Sequence, residues 1–510
     1  MRLTLVNCLL SAAVFLWASD GRAGETTTAT TTTASYTETR AGIPRFNLDQ
    51  AILTALQRNP DILRARQDIE RTKGLYIELR AAILPRLDGL ADFQDVDPHL
   101  GNVSTGAGSI LSATERSYTL QLQVSQVIFA GGRVISQIRS ANFQRDSSYY
   151  AFRNIIDTIV STVRQQFYLV QLNRALIGVQ EESVRLLESQ LQDQQNRFEA
   201  GTVPRFNVLQ AQVALSNQIP QLITARNNYR IAQLQLAKTL GLDFDPNRGE
   251  SAPLEVIGEL TQIPRHMPLT EAIAVAKENR PFLKQQKATV LSNRAQIGVA
   301  RSGFFPQINA TAAEALQSSP FTDNIREARN GYIFGATGNW AIWDWGATYG
   351  QLKQARSILE QSKITLDDSV RQVELEVQQA YSNLQQGREL IQSQEKNVEQ
   401  ANEALRLASA RLGAGAGTQL EVLDARVQLT TAQSTQLQAL YTYNTAVAEF
   451  DRVTATEVQY STRLDEPATR KKLKTDAAPT PAPKPTPLQL NEPQQTTRTT
   501  TTSQHSTSGK

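Results

Sequence analysis

The 510-residue chain is 40% hydrophobic and 20% charged, with a net charge of +3 and a single cysteine. Residues 466–510 hold seven Lys and Arg against three Asp and Glu, so the excess of positive charge lies at the C-terminal end. The rest of the chain has no basic excess of the kind that nucleic-acid-binding proteins carry. No run of eighteen apolar residues follows the N-terminal segment, which excludes a transmembrane helix there. If the protein spans a membrane, it does so with strands.

The chain begins with the features of a secretory signal peptide over residues 1–23. Arg2 precedes an apolar stretch that ends near Trp17, and small residues stand before Gly24, where a signal peptidase would cut. Cys8 lies inside the apolar stretch and follows Asn7, which disfavours a lipid anchor. Removal of this segment leaves no cysteine, so the mature fold depends on packing and not on disulfides. Residues 24–45 are Thr-rich and are predicted to be disordered.

The body of the chain is a duplicated sequence. Pro85 is matched by Pro306, a shift of 221, and Gly201 is matched by Gly415, a shift of 214. One seven-residue insertion or deletion therefore separates the copies, and it lies between Pro85 and Tyr118 in a predicted surface loop. The predicted units are repeat 1 over 46–242, a connection over 243–267, repeat 2 over 268–458 and a basic, Pro- and Thr-rich disordered tail over 459–510.

Long segments of both repeats predict helices. Gln, Ala, Leu, Arg and Glu dominate these segments and favour helix, whereas Pro220 is expected to kink its helix or to lie near a bend. At 1.5 Å per residue the segment 133–199 would span about 100 Å. Its apolar stripe is too narrow for an isolated helix, so neighbours must pack along the whole length. The predicted helical segments are 47–83, 133–199, 204–240, 268–304, 347–412 and 418–455.

Alternating apolar and polar residues predict membrane strands between the helices. The alternation runs from Tyr118 to Ile128 and from Tyr332 to Ile342, about ten residues each, which matches a tilted membrane strand. Weaker candidates that follow the prolines at 85 and 306 are expected to pair with these strands across the variable loop. Four strands cannot close a barrel, and open edges cannot face lipid because their unpaired backbone groups are costly there. The chain is therefore expected to assemble with copies of itself.

Two proline dipeptides and a doubled motif carry a family resemblance. Asn59-Pro60 and Arg280-Pro281 stand early in the repeats, and RFEAGTVPRFNVLQAQ from Arg197 is matched by RLGAGAGTQLEVLDARVQL from Arg411. Over residues 46–458 the chain resembles the TolC-type outer-membrane efflux proteins. The resemblance implies an α+β membrane protein in which a trimeric 12-stranded outer-membrane β-barrel, with four strands per chain, continues into a long periplasmic α-helical barrel.

The resemblance also implies a role and a set of partners. The expected role is the outer-membrane channel-tunnel of a tripartite efflux or type I secretion system, which passively conducts drugs, metabolites or proteins to the exterior. The expected partners are further copies of the chain in a homotrimer, a periplasmic adaptor protein, an inner-membrane transporter of ABC, RND or MFS type, and outer-membrane lipid. Nucleic acid and cofactors are not expected, and the protein would lie in the outer membrane with its helices in the periplasm.

The candidate functional residues lie where the long helices turn. The resemblance puts the periplasmic tip turns at Gly201 and Thr202 in the first copy and at Gly415 and Gly417 in the second. It also maps carboxylates of a pore entrance onto two acids of the second copy, Glu421 and Asp424. Three chains would bring about six negative charges into a narrow mouth that favours cations. The simpler alternative is that both acids complement a helix dipole.

The chain departs from the family at the tips. Gly417 and Arg411 stand where some members have an Arg and a Tyr that hold the tip shut, and Asn207 replaces the first-copy acid. The closing contacts are therefore expected to differ. Gly413, Gly415 and Gly417 would make the second tip pliable, although glycine after a helix is more often a plain C-cap.

Other candidate sites are weaker. Trp340, Trp343 and Trp345 cluster at a strand end, as either an interfacial aromatic belt or a buried core patch. No Ser/His/Asp set, phosphate loop or Cys/His cluster occurs in the sequence, so neither an enzyme nor a metal site is expected. Two rival functions remain open. A secreted or periplasmic coiled-coil scaffold without a pore leaves the apolar-faced strands unexplained, and a periplasmic adaptor would need one hairpin flanked by small β domains.

Overall fold

The computed structural model describes residues 44–95, 102–105, 109–112, 116–243, 254–318 and 324–456. The predicted signal peptide, residues 24–43 of the Thr-rich segment and the predicted tail lie outside the described residues. The described part belongs to one structural unit.

Helices and strands follow one another in two similar series. The first series is β1 (Arg45–Phe46), α1 (Leu48–Arg58), α2 (Pro60–Ala81), β2 (Arg86–Asp95), β3 (Asn102–Thr105), β4 (Ser109–Ser112), β5 (Arg116–Ala130), α3 (Arg133–Glu199) and α4 (Arg205–Leu240). The second series is β6 (Glu255–Val256), α5 (Leu269–Asn279), α6 (Pro281–Arg301), β7 (Gln307–Ser318), β8 (Arg329–Asn339), α7 (Ala347–Gly413) and α8 (Gln419–Thr454).

The predicted single helix over 47–83 is wrong, because the chain breaks at Asn59. The residue before a proline is driven out of the helical region, and Asn59 is extended with φ −61° and ψ 127°. Its Oδ1 accepts hydrogen bonds from the backbone N–H groups of Asp61 (2.8 Å) and Ile62 (3.3 Å), while Pro60 occupies the first helical position of α2. The break is therefore a capped junction between two helices.

The second copy breaks at the equivalent place, so the predicted helix over 268–304 is also wrong. Arg280 precedes Pro281 and is extended, with φ −60° and ψ 121°, but its side chain makes no cap. The Arg280 guanidinium is buried and pairs instead with Glu376 of α7. A short 3₁₀ turn, Ser302–Phe304, follows α6. The two copies thus share the backbone junction but not its side-chain contacts: Asn59 caps the following helix with its side-chain amide, whereas Arg280 forms an ion pair with another helix.

The long helices are confirmed, and they are equal in length between the copies. α3 and α7 each contain 67 residues, and α4 and α8 each contain 36. At 1.5 Å per residue these helices are about 100 Å and about 54 Å long. α3 packs along α2, α4, α6 and α8, so the helices of both copies support one another as the narrow apolar stripes require. Pro220 lies inside α4, which the structure assigns as one helix.

The four predicted strands form one antiparallel sheet in the order β2-β5-β7-β8. The register pairs Gly89 with Leu122, Leu122 with Glu314, and Glu314 with Tyr332, so these four residues lie on one face of the sheet. A bulge between Val127 and Phe129 interrupts the β5–β7 register. β2 and β8 are the two edges, and neither has a second strand partner among the described residues.

Details of the strands differ from the prediction. β8 ends at Asn339, so Trp340 and Ile342 lie beyond the strand that the alternation assigned to them. The variable loop of the first copy contains a hairpin, β3–β4, and β1 pairs in parallel with β6; the alternation of apolar and polar residues predicts neither. Strands of two to four residues are too short for a periodic signal.

A hydrophobic core joins α5, α6, α7 and α8 of the second copy. Tyr443 and Phe450 of α8 are fully buried against Val377 and Leu384 of α7. The Tyr443 hydroxyl donates to the backbone carbonyl of Ile263 at 2.9 Å, so this buried phenol has a partner. This core fixes the second pair of long helices well away from their turn at 414–418.

None of the helices in the described ranges is both long and apolar enough to cross a membrane.

Candidate functional site

The first tip turn joins α3 to α4 through a glycine-dependent helix cap. Gly201 follows the end of α3 and has φ +70°, in the left-handed region. Its N–H donates to Phe198 O at 2.9 Å, and the N–H of Thr202 donates to Arg197 O at 2.9 Å. This pair of bonds is the Schellman motif. The Thr202 hydroxyl also donates to Arg197 O at 2.8 Å, which adds a side-chain bond to the turn.

The second tip turn, between α7 and α8, uses the same backbone. Gly415 has φ +73°, and the N–H of Ala416 donates to Arg411 O at 2.9 Å. Gly417 has a different reason to be glycine, since a Cβ there would lie 3.0 Å from Arg411 Cβ and 3.0 Å from Leu412 N. Two of the three glycines near this turn therefore have a geometric role: one supplies a positive φ, and the other permits close backbone approach.

The second-copy acids lie in the first two turns of α8. The Glu421 N–H donates to the Thr418 side chain at 3.3 Å, so Thr418 caps the helix. The Glu421 carboxylate lies 3.7 Å from the Arg411 guanidinium across the turn; the Arg411 side chain is 62% exposed and that of Glu421 is 41% exposed. Asp424 is exposed one turn further along the same face. The structure thus brings Glu421, Asp424 and the cation Arg411 to one tip.

The first-copy tip has no such pair of acids. Asn207 and Gln210 stand at the equivalent positions, and α4 begins after Pro204 without a side-chain cap. Its nearby ion pair is internal to α3, from Arg197 to Asp193 at 2.9 Å. The two tips therefore share a backbone motif and differ in charge.

Polar side chains line the contact between α3 and α8 above the tips. Arg426 Nη1 donates to the Leu186 carbonyl at 2.9 Å, and Gln194 Nε2 approaches Gln419 Oε1 at 3.5 Å. Gln190, Gln194 and Gln419 are buried, and each of them has an amide atom without a hydrogen-bond partner in the described structure. Burial lowers the pKa of the Arg426 guanidinium. We call this set, Leu186, Gln190, Gln194, Gln419 and Arg426, the tip seam.

The sequence-based reasoning missed the tip seam. Its members are ordinary helix-forming residues, and a buried glutamine carries no motif. One signal was available in the comparison of the copies: Arg426 is matched by Gln212, and Gln419 by Arg205. The cation has changed position between the two copies, which indicates that the two tips make different contacts.

The three tryptophans lie in the connection from β8 to α7, and they are not buried in the protomer. Trp340, Trp343 and Trp345 are 54%, 75% and 89% exposed, and the rings of Trp343 and Trp345 pack edge to face with centroids 5.8 Å apart. Trp340 Nε1 donates to Phe304 O at 3.2 Å. Trp345 has φ +53°, an uncommon conformation for a bulky residue, next to the N-terminus of α7. The connection therefore presents three exposed tryptophans in the protomer.

The described residues contain no group of three or more His, Cys, Asp and Glu side chains able to hold a metal ion.

Comparison with known proteins finds one family across both copies. The sequence profile described as "Outer membrane efflux protein" matches residues 51–242 and 272–456. The probable efflux pump outer membrane protein TtgC of Pseudomonas putida is 26% identical over 408 residues, which cover 76% of this chain and 78% of TtgC. The alkaline protease secretion protein AprF of Pseudomonas aeruginosa is 24% identical over 404 residues, which cover 77% of this chain and 81% of AprF.

Solved structures share the fold. The CmeC outer membrane channel of Campylobacter jejuni superposes with a TM-score of 0.70 at 16% identity, covering 82% of this chain and 90% of CmeC. At that identity the likeness establishes the fold alone.

Proposed function

The chain belongs to the outer membrane efflux protein family, and on that premise we propose that three copies close a shared barrel and form the exit duct of an export system. The family's members are outer-membrane channels and not enzymes, so this protein is an outer-membrane channel-tunnel of efflux or type I secretion systems whose helices lie in the periplasm.

The observation that carries the proposal is the sheet with two open edges. Its apolar face presents Leu120, Leu122 and Phe334, all exposed in the protomer, as lipid-facing strands require. The opposite face presents polar side chains, including Gln121 and Gln123, which are hydrogen-bonded to each other at 3.0 Å. Pairing β8 of each copy with β2 of the next would leave no open edge in lipid and would turn the polar face toward a lumen.

The helices support a continuous duct below the barrel. All the long helices leave the sheet on one side, because β5 and β8 lead into α3 and α7 and the turns at Gly201 and Gly415 return the chain. Exposed apolar residues remain on α7, including Ile364 and Leu375, and these would be covered by neighbouring copies. The long helices of three copies would then line one tunnel of about 100 Å.

We assign the narrow mouth of this tunnel to the second tip. Three copies would bring Glu421 and Asp424 together as about six carboxylates, and the cation Arg411 would moderate that field. A ring of carboxylates favours cations and binds multivalent cations strongly enough to block the pore. The alternative role, dipole complementation, applies to Glu421 in the first turn of α8 and leaves the exposed Asp424 unexplained.

A passive duct across the outer membrane and periplasm needs partners that deliver cargo to its periplasmic end. A periplasmic adaptor would contact the tips, and an inner-membrane transporter of ABC, RND or MFS type would deliver the cargo. TtgC is described as a probable efflux pump outer membrane protein and AprF as an alkaline protease secretion protein, so the relatives include both an efflux component and a protein-secretion component. The exposed cluster of Trp340, Trp343 and Trp345 would form the aromatic belt at the periplasmic face of the membrane.

A reconstitution experiment tests the proposal. The purified chain should migrate from outer-membrane fractions as a heat-modifiable trimer and give cation-preferring conductance in planar bilayers. A monomer in detergent without conductance would contradict the channel and favour a scaffold without a pore.

A further inference from the structure

We propose that residues 254–265 form a strap that limits how far the helical hairpin α7–α8 can separate from the helical hairpin α3–α4. The strap lies in the connection between the two repeats, just before α5. The proposal rests on the proposed function in one respect: separation of the hairpins is taken to open the channel at its tip.

The strap crosses the four long helices in their lateral order. α3 packs against both α4 and α8, and α8 packs against α7, so the order is α4, α3, α8, α7. Side chains of all four helices donate hydrogen bonds to successive carbonyls of the strap: Gln233 of α4 to Leu254 (2.8 Å), Arg174 of α3 to Val256 (3.2 Å), Asn444 and Tyr443 of α8 to Thr261 and Ile263 (2.9 Å each), and Arg388 of α7 to Arg265 (3.0 Å). Each hairpin is therefore attached to its own part of the strap.

The five donors lie at nearly the same distance from the tip turns. Arg174 lies 25 residues before the end of α3, and Gln233 lies 28 residues after the start of α4. Arg388, Tyr443 and Asn444 lie 24 to 25 residues from the corresponding ends of α7 and α8. At 1.5 Å per residue, all five donors are about 36–42 Å from the turns. The strap therefore runs across the helices at one height.

Three of the five attachments are buried. Gln233, Tyr443 and Asn444 are at most 2% exposed, and the strap residues Leu254 and Val256 are buried as well. Breaking a hydrogen bond at such a position leaves polar groups without water as a replacement partner, which is costly. The strap therefore stays attached to α4 and α8 while weaker contacts open.

An ion-pair bridge joins both hairpins beside the strap. The Asp451 carboxylate of α8 lies 2.9 Å from the guanidinium of Arg265 in the strap and 3.2 Å from that of Arg164 in α3. The Asp451 side chain is only 12% exposed, so salt screens these pairs weakly. Closer to the turns, the same two helices meet at the underbonded tip seam. The strap therefore lies where the firm contact between the hairpins gives way to the weak one.

The link between the two attached parts of the strap is short. Val256 is the last carbonyl bound to the first hairpin, and Thr261 is the first one bound to the second. Five residues span at most about 18 Å when fully extended, and packed helices already lie about 8–10 Å apart. At the height of the strap the hairpins can thus move apart by less than about 10 Å. The arms below the strap are free to swing about this point.

Lengthening the link tests the strap. Eight Gly and Ser residues are inserted between Glu259 and Leu260 of the full-length chain, and hydrogen exchange is followed in the detergent-solubilised protein. A link of thirteen residues instead of five lowers the effective concentration of one hairpin beside the other about fourfold, because this concentration falls as the −3/2 power of length. Exchange in residues 181–194 of α3 and 420–432 of α8 should therefore become about fourfold faster. Exchange in α2 and α6, on the other side of the strap, should not change.

Two matched controls accompany the insertion. The same eight residues placed between Arg248 and Gly249, ahead of the first attachment, should leave exchange at the tip seam unchanged. Tyr443→Phe removes one attachment but keeps the buried ring, so it should raise exchange in the same segments by a smaller factor. Tyr441→Phe should have no effect, because Tyr441 is half-buried on the same helix and its hydroxyl is not one of the five strap donors.

Either of two results would overturn the proposal. Equal exchange after both insertions would mean that the length of the link does not matter. Faster exchange that extends equally to α2 and α6 would mean that the insertion only destabilises the fold. Conductance of the wild-type protein in planar bilayers is recorded separately, because its absence would reject the channel, whereas the exchange data alone decide the role of the strap.

Discussion

Arg426 on α8 donates a hydrogen bond from Nη1 to the backbone carbonyl of Leu186 on α3 at 2.9 Å, and this bond ties the second repeat to the first above the tips. Two turns closer to the tips, buried Gln194 and Gln419 are 3.5 Å apart, which is a long hydrogen bond. Several amide atoms of the tip seam have no partner in the described structure. An underbonded buried contact is easily separated, because water would satisfy its polar atoms once the helices move apart. The tip seam is therefore suited to open.

Arg426→Met is expected to widen the tip. A hydrogen bond from a charged donor contributes about 1.5–3 kcal/mol. The half-buried guanidinium keeps part of its hydration, so the loss of the bond outweighs the relief of desolvation. The fraction of open channels should rise about tenfold, measured as single-channel conductance and open time in planar bilayers. Arg406→Met is the matched control, because Arg406 is exposed on α7 and pairs only locally with Glu403. Equal effects of both variants would contradict a role for the tip seam.

Neutralising the second-copy acids should reduce cation preference. Glu421→Gln combined with Asp424→Asn removes about six charges from the proposed trimeric mouth, so reversal potentials should move toward nonselectivity and block by trivalent cations should weaken more than tenfold. The matched control is Asn207→Ala with Gln210→Ala, which alters the equivalent first-copy positions without changing charge. Unchanged selectivity in the acid variant would place the entrance elsewhere.

Removing Arg411 should act in the opposite direction. Its guanidinium lies 3.7 Å from Glu421, and both groups are exposed, so the pair contributes little stability but cancels part of the local charge. Arg411→Gln is therefore expected to increase cation preference severalfold in reversal-potential measurements, most strongly at low ionic strength because salt screens exposed charges. An increase that does not depend on salt would argue for a structural effect instead.

The glycines of the second tip should differ in their response to alanine. Gly415→Ala forces a Cβ into the left-handed region, at a cost of about 1–2 kcal/mol, and Gly417→Ala would push against the backbone of α7. Gly413→Ala meets open space at the last residue of α7 and should stabilise the helix end by up to about 1 kcal/mol. Hydrogen exchange of residues 405–420 measures the difference. Faster exchange in Gly413→Ala as well as in Gly415→Ala would show that the turn is pliable and not capped.

Periodicity predicted the larger elements of this fold well. The predicted helix 133–199 agrees with α3 at both ends, because Gly132 and Gly201 adopt positive φ values just outside the helix. The four strands were predicted correctly because apolar and polar side chains alternate along them. The breaks at Asn59 and Arg280 were passed over, although each is followed by proline. Helical composition continues on both sides of such a junction, so only the conformational rule for the residue before proline could have located them.

The charge contacts of the site could not be predicted in the same way. The motif indicated Glu421 and Asp424, but nothing in the sequence places Arg411 beside Glu421 or Arg426 beside Leu186, because those pairs depend on how two long helices are staggered. A shift of one residue in α8 rotates every side chain by about 100° around the helix axis. Only packing over the whole length of the helices sets that register.

A partly buried carboxyl group on α3, that of Asp157, predicts an unusual pH dependence of stability. Desolvation raises the pKa of Asp157 to about 6, although the charges of Arg153, Arg452 and Arg280 act to lower it. The pKa of Glu376 shifts in the opposite direction. Burial acts to raise this pKa, but hydrogen bonds from Arg280 and Gln372 and the charges of Arg280 and Arg452 outweigh burial and lower it. Asp157 is therefore the member of this group that binds a proton more readily in the folded protein than in the unfolded one.

The sign of the effect follows from linkage. The carboxyl group has a pKa of about 6 in the folded protein and an ordinary value of 3.8. Above pH 6 its ionisation lowers the free energy of unfolding by the full amount, and this destabilisation disappears as the pH falls from about 6 to about 4. Asp157→Asn removes the ionised group, so it should raise the thermal midpoint by several degrees at pH 8 and change it little at pH 4. The measurement is thermal unfolding of the detergent-solubilised protein at both pH values. Asp193→Asn on the same helix is the control, since Asp193 is about half exposed and paired with Arg197, and its effect should be small at both pH values. A midpoint that falls at pH 8 in Asp157→Asn would mean that the attraction of the three arginines exceeds the cost of burial.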